Sequence, residues 1–138
     1  CLLDSDTLLA PDFFAHVADA PEDCKFVAPD GRKMLSPETT AQILMGELRP
    51  WEQWESLLEG AGEFRLRETE IPIGFCQCVR KECFDKVEYI ELNHFEGSDW
   101  VFGKQLIDEF GRECRLSGVP VMHLDHGGSQ WYGTNTHR

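Results

Sequence analysis

Short apolar runs, bounded by prolines and glycines, alternate along this chain with segments whose apolar residues recur at helical spacing, and that alternation limits the fold more than any other feature. Cys1-Leu2-Leu3, Lys25 to Ala28, Phe75 to Val79 and Val119 to Met122 read as strands. Pro11 and Asp12 open a short helix with Phe13, Phe14 and Val17 on its inner side. Ser36-Pro37-Glu38 predicts a helix start, with Ser36 as cap and Pro37 in the first turn, followed by Ala41, Ile43, Leu44, Met45 and Leu48 on an apolar side. Trp51, Trp54, Leu57 and Leu58 continue at helical spacing, which assigns both tryptophans to core packing. Residues 60–72 read as a charged loop, Pro29-Asp30-Gly31 as a turn, and Lys81 to Val87 as a short helix. The cleanest helix is Trp100 to Phe110, capped by Ser98 or Asp99 and ended by Gly111, with Gly103, Leu106, Ile107 and Phe110 inward. Pro120 places the last strand at a sheet edge or starts it. Strand, helix, strand, helices, strand, helix, strand is an α/β order.

Length and charge narrow the function. The 138 residues suit one domain, and no apolar run approaches the roughly 20 residues of a membrane-spanning helix. Thirteen basic against 25 acidic residues leave a net charge of −12, which repels phosphate backbones and argues against nucleic acid as a partner. A phosphorylated substrate would need a local divalent cation. The cysteines at 1, 24, 76, 78, 83 and 114 lack the paired spacing of structural zinc sites, so buried reduced thiols and a cytoplasmic location are expected. A zinc-stabilised interaction domain would recruit Cys76, Cys78 and Cys83, with Cys114 or a histidine. The opening Cys1-Leu2-Leu3 reads as the end of a buried strand, so residues 1–138 are expected to be the later part of a longer domain.

Three constellations carry possible chemistry. Asp4 and Asp6 lie two apart at a strand end; in extended chain they point the same way, roughly 6.5–7 Å apart, and could share a cation, while in a turn they would cap backbone amides. Glu96-Gly97-Ser98-Asp99-Trp100 precedes the best helix, where Asp99 either caps or stands ready as a general base. His123 and His126 follow the last strand, leading into Gly127, Gly128, Ser129 and the flat faces of Trp131 and Tyr132, of the kind sugars stack on.

Taken in order, Leu2-Leu3-Asp4-Ser5-Asp6-Thr7-Leu8, Pro11-Asp12-Phe13-Phe14, Phe95-Glu96-Gly97-Ser98-Asp99 and Val121-Met122-His123 resemble the later part of a nucleotide-sugar glycosyltransferase of the GT-A fold, particularly the inverting family 2 type. The resemblance spans nearly the whole length, with a diverged middle between Cys24 and Pro72. It implies a Rossmann-like domain with a central mixed sheet, a UDP-sugar donor, an acceptor, and Mn²⁺ or Mg²⁺ as cofactor. Asp6 would ligate the ion, Asp4 would sit near the ribose or the metal's waters, and His123 would add a ligand, with His126 competing. Asp99 would be the base that deprotonates the acceptor. Ser5, His126, Gly127 and Gly128 fall on the donor side, the loop from Gly127 to Gly133 matching the segment that folds over it; Glu96, Trp100, Trp131 and Tyr132 fall on the acceptor side. The family usually has Glu before the catalytic Asp; here it is Ser98, with Glu96 as a possible substitute. A non-catalytic nucleotide- or carbohydrate-binding module with the same fold is the alternative.

Overall fold

A computed structural model describes residues 1–72, 75–90, 92 and 97–125. The elements are β1 (Leu2–Leu3), β2 (Thr7–Leu9), α1 (Phe13–Ala18), β3 (Phe26–Pro29), β4 (Gly31–Met34), α2 (Pro37–Leu44), α3 (Pro50–Gly60), β5 (Arg65–Leu66), β6 (Cys76–Val79), a 3-10 turn (Lys81–Asp85), α4 (Ser98–Phe110), β7 (Cys114–Leu116) and β8 (Val121–His123). They form a mixed α/β domain. In place of one central sheet, the described strands make two four-stranded mixed sheets, ordered β1-β6-β3-β7 and β2-β8-β4-β5.

The division has a simple origin. Each of three chain segments supplies a strand to both sheets: β1 then β2, β3 then β4, β7 then β8. β3 runs parallel to β7 and β4 parallel to β8, whereas β1–β6, β3–β6, β2–β8 and β4–β5 are antiparallel. The crossing points fall at Asp4 to Asp6, at Asp30 and over residues 117–120, so the aspartate-bearing links lie where the chain changes sheets. Pro29-Asp30-Gly31 is therefore a bend in extended chain and not a reversing turn. Gly31 is required there because a Cβ would lie 2.2 Å from the Arg65 carbonyl oxygen of the neighbouring β5.

Local signals explain the helices. The Ser36 hydroxyl accepts from the Thr39 amide at 3.1 Å, and Pro37 occupies the first turn of α2. α4 starts one residue earlier than a Ser98 cap requires: Gly97, at φ 92°, is the cap, and Ser98 Oγ instead accepts from the Leu92 amide at 3.3 Å. Phe102, Gly103 and Leu106 form the buried line of α4. Gly103 permits a close approach, since a Cβ would meet the Pro72 carbonyl oxygen at 2.4 Å.

Phe13, Trp54, Leu57, Cys76, Val121 and Met122 belong to the main core, and Phe26, Cys83, Phe102 and Leu106 to a second cluster beneath α4. Several expected inward residues lie outside: Phe14, Leu44, Met45 and Trp51 are exposed. α1 and α2 span only 6 and 8 residues, so each offers about two turns and buries a single side chain completely, Phe13 and Thr40 respectively. Pro120 immediately precedes β8, an interior strand, so it starts the strand and does not mark an edge. Residues 60–72 contain β5 and the fully buried Arg67, and are more than a surface loop.

The expectation of reduced thiols fails for one pair. Cys24 and Cys114 form a disulfide across 90 residues, while Cys1, Cys76, Cys78 and Cys83 are free. Val27 pairs with Cys114, so the link closes the start of the parallel β3–β7 ladder. Replacing both cysteines by serine is expected to cost about 2–4 kcal/mol, because it releases a long loop in the unfolded chain. A lowered urea midpoint, with the free-thiol count unchanged in native protein, checks this.

Candidate active site

Asp4 directly follows β1, and the chain then turns sharply: the Thr7 amide donates to the Asp4 carbonyl at 3.1 Å. The aspartate pair thus lies in a tight turn and not in extended chain, which corrects the strand-like spacing drawn from the sequence. The turn is anchored on both sides. Asp4 N donates to the Phe75 carbonyl at 3.3 Å and Leu124 N to the Asp6 carbonyl at 2.8 Å, joining the segment to the approach of β6 and the end of β8.

His123 is buried on β8, directly opposite Thr7. Its Nδ1 lies 2.7 Å from the Leu124 carbonyl oxygen. A carbonyl only accepts, so Nδ1 carries a proton and Nε2 is the ring's other polar atom. That Nε2 lies 3.3 Å from Asp6 Oδ1. Nε2 can meet this carboxylate either as a donor from a protonated ring or, from a neutral ring, as a second ligand to a shared metal ion.

Asp99 lies in the first turn of α4. Partial burial, then the negative charges of Asp6 and Asp99, push the Asp4 carboxyl above its usual range, while Arg32 pulls it down. Asp4, Asp6 and Asp99 are therefore electrostatic neighbours although 93 residues separate the last two. The α4 start is held in place by Gln77 on β6, whose buried amide donates to the carbonyls of Pro72 at 2.7 Å and Asp99 at 3.1 Å. Tyr89 packs against Phe102, with ring centroids 5.2 Å apart. Burial first, and then Asp99 and Asp4, raise its hydroxyl pKa.

The structure thus sets Asp6 beside His123, with Asp4 in the same turn as Asp6 and Asp99 within electrostatic reach of Asp4. Ser5 is exposed in the same turn and Trp100 is exposed beside Asp99. Glu96, His126, Gly127, Gly128, Trp131 and Tyr132, with the rest of the loop through Gly133, lie outside the described residues. Arg32, Gln77 and Tyr89 were not foreseen. Arg32 is buried on β4 with its guanidinium 5.3 Å from the centre of the Phe75 ring, and it supplies the positive charge nearest in effect to Asp4. A basic residue directly after an expected turn gave no hint of that burial.

The donor set of two carboxylates and an imidazole suits Mn²⁺ or Mg²⁺ in kind. The Asp6–His123 separation of 3.3 Å is near the roughly 3 Å edge of an octahedron with bonds of about 2.1 Å. Asp4 does not close this pair into a tight trio; among the described residues, only the Cys1, Cys76 and Cys78 sulfurs all lie within 4.8 Å of one another. The zinc set drawn from the sequence is not assembled, because Cys114 is in the disulfide and Cys83 lies in the second core cluster. No family model matches the chain, and neither does any curated protein or solved structure.

Proposed function

We propose that the chain carries the metal-binding and acceptor side of a GT-A-type glycosyltransferase, which moves a sugar from a nucleotide-sugar donor, a UDP-sugar by the resemblance, to an acceptor hydroxyl with inversion. The observation that carries this reading is His123 Nε2 lying 3.3 Å from Asp6 Oδ1, with Asp4 and Asp99 in the same electrostatic neighbourhood. Asp6 and His123 would hold Mn²⁺ or Mg²⁺, and Asp4 would act through the ion's water shell. The bound ion would supply the positive charge that a nucleoside diphosphate leaving group needs in a protein of net charge −12. Arg32 adds a fixed positive charge on the same side. Asp99, at a helix start whose backbone Gln77 fixes, accepts the proton of the acceptor hydroxyl. Exposed Trp100 offers a stacking face for a sugar ring beside that base.

The disulfide bears on location. Among the described residues no helix is long and apolar enough to cross a membrane. Cys24–Cys114 favours an oxidising compartment over the cytoplasm expected from cysteine usage.

The test is ligand-linked stability of the intact protein. UDP with Mn²⁺ is expected to raise the melting temperature, adding about 2.7 kcal/mol when ligand reaches 100 times its dissociation constant. Asp6→Asn should remove the Mn²⁺ dependence while leaving the metal-free melting temperature close to wild type. The absence of any shift with Mn²⁺ and UDP at millimolar concentration would overturn the reading. A shift without sugar transfer to any hydroxyl acceptor would leave a binding module.

A further inference from the structure

Cys1, Cys76 and Cys78 meet on one side of the first sheet. β1 is its edge strand, two residues long, and pairs only with β6, where Leu2 faces Gln77 and Leu3 faces Cys76. Alternation along β6 sends Gln77 toward α4 and Cys76 and Cys78 to the opposite face. There Cys1 Sγ lies 3.7 Å from Cys76 Sγ, and Cys78 Sγ lies within 4.8 Å of both. Cys76 and Cys78 are buried, whereas Cys1 is exposed. Cys1 and Cys78 also line a cavity of about 300 Å³ with Phe14, Val17 and Arg80, which gives a small ion a route from solvent to buried sulfur.

We propose that Cys1, Cys76 and Cys78 form a binding site for a thiophilic d10 metal ion, separate from the carboxylate–histidine site. The spacing suits it. An ion with metal–sulfur bonds of about 2.3 Å needs its sulfurs about 3.8 Å apart in a tetrahedral site and about 4.0 Å apart in a trigonal plane. All three sulfurs lie within 4.8 Å of one another before any ion draws them in. Three thiolates with no fourth ligand among the described residues fit trigonal Cu(I), or Zn²⁺ with water in an open position. Binding replaces three S–H bonds by three metal–sulfur bonds and releases three protons to solvent, with no change in oxidation state. The ion would clip the edge strand β1 to β6 and so steady the strand that delivers Asp4. Neighbouring sulfurs on an exposed edge would also be kept from oxidising to one another.

The experiment uses intact protein handled without oxygen, titrated separately with Zn²⁺, Cd²⁺ as its spectroscopic substitute, and Cu(I) buffered by a competing chelator. One ion per chain is expected, with a thiolate-to-metal charge-transfer band, three sulfurs by X-ray absorption, and Cys1 protected from alkylation. Cys1→Ser is exposed and leaves the core intact; it should weaken binding by at least the about 10–100-fold that loss of an outer-shell partner costs. Cys78→Ser should do the same, with circular dichroism confirming that each variant is folded. Tighter retention of Cu(I) or of Zn²⁺ decides the ion, and either supports the site. Failure to bind any of the three stoichiometrically, binding indifferent to Cys1→Ser, or a Cys1–Cys76 disulfide in the protein as isolated would overturn it.

Discussion

Glu113→Ala is expected to lower stability by about 3–5 kcal/mol, a large part of the about 5–15 kcal/mol that holds a typical domain folded. Arg67 has a completely buried side chain, and its Nη2 donates to Glu113 Oε1 within the interior. Arg115 Nε approaches the same oxygen at 3.0 Å, and its other nitrogens donate to the Arg67 and Thr69 carbonyls at 3.1 and 2.7 Å. Burial pushes the Arg67 guanidinium down and the Glu113 carboxyl up, with the opposite charges only partly restoring each. Desolvation therefore dominates. An intact pair of this kind adds little to net stability, but half of one is costly, because the remaining charge has no water to return to. Arg67→Met should cost less than Glu113→Ala, since Glu113 keeps Arg115 and can take up a proton. The double replacement Arg67→Met with Glu113→Ala should recover part of the loss, because no unpaired charge is then left buried. Urea midpoints of the four proteins, at unchanged m value, provide the cycle; additive losses from the two single changes would show that the pair is not coupled.

Buried arginine also explains where the fold escaped a reading of the sequence. α2 and α4 were legible because Ser36-Pro37 and Gly111 are strong end signals and their apolar residues recur at helical spacing. β1, β6 and β8 were legible as apolar runs. β4, β5 and β7 were not. They are two to four residues long and carry Arg32, Lys33, Arg65 and Arg115, so they show no apolar alternation. Arg67 looks like a surface residue until Glu113, 46 positions later, comes to meet it. The disulfide escaped for a related reason: a cysteine count does not reveal which two thiols the fold apposes. At the candidate site, Asp4, Asp6, Asp99 and His123 stood out because each follows a strand or opens a helix. Arg32, Gln77 and Tyr89 act through long-range placement that no local pattern encodes. The doubling into two sheets was equally hidden, since it depends on bends at Asp4 to Asp6 and at Asp30 that resemble ordinary loop residues.

The proposed base leads to the other large effect. Asp99→Asn is expected to reduce sugar transfer by about 10²–10⁴-fold, the usual range for losing a positioned general base. Affinity for UDP with Mn²⁺ should change little, because the Asp6–His123 pair that would hold the ion is untouched. The substitution keeps size and shape, and the contact that Gln77 makes at this residue is to the backbone carbonyl, which asparagine retains. Folding should therefore survive. Removing the Asp99 charge also relieves part of the repulsion that raises the Asp4 carboxyl, so Asp4 should titrate at lower pH in the variant. That shift, followed by carboxyl NMR, reports the placement of Asp99 independently of turnover. A variant with reduced Asp4 pKa and lost transfer supports both geometry and role. One with reduced Asp4 pKa and full transfer would keep the geometry and assign the proton to another group.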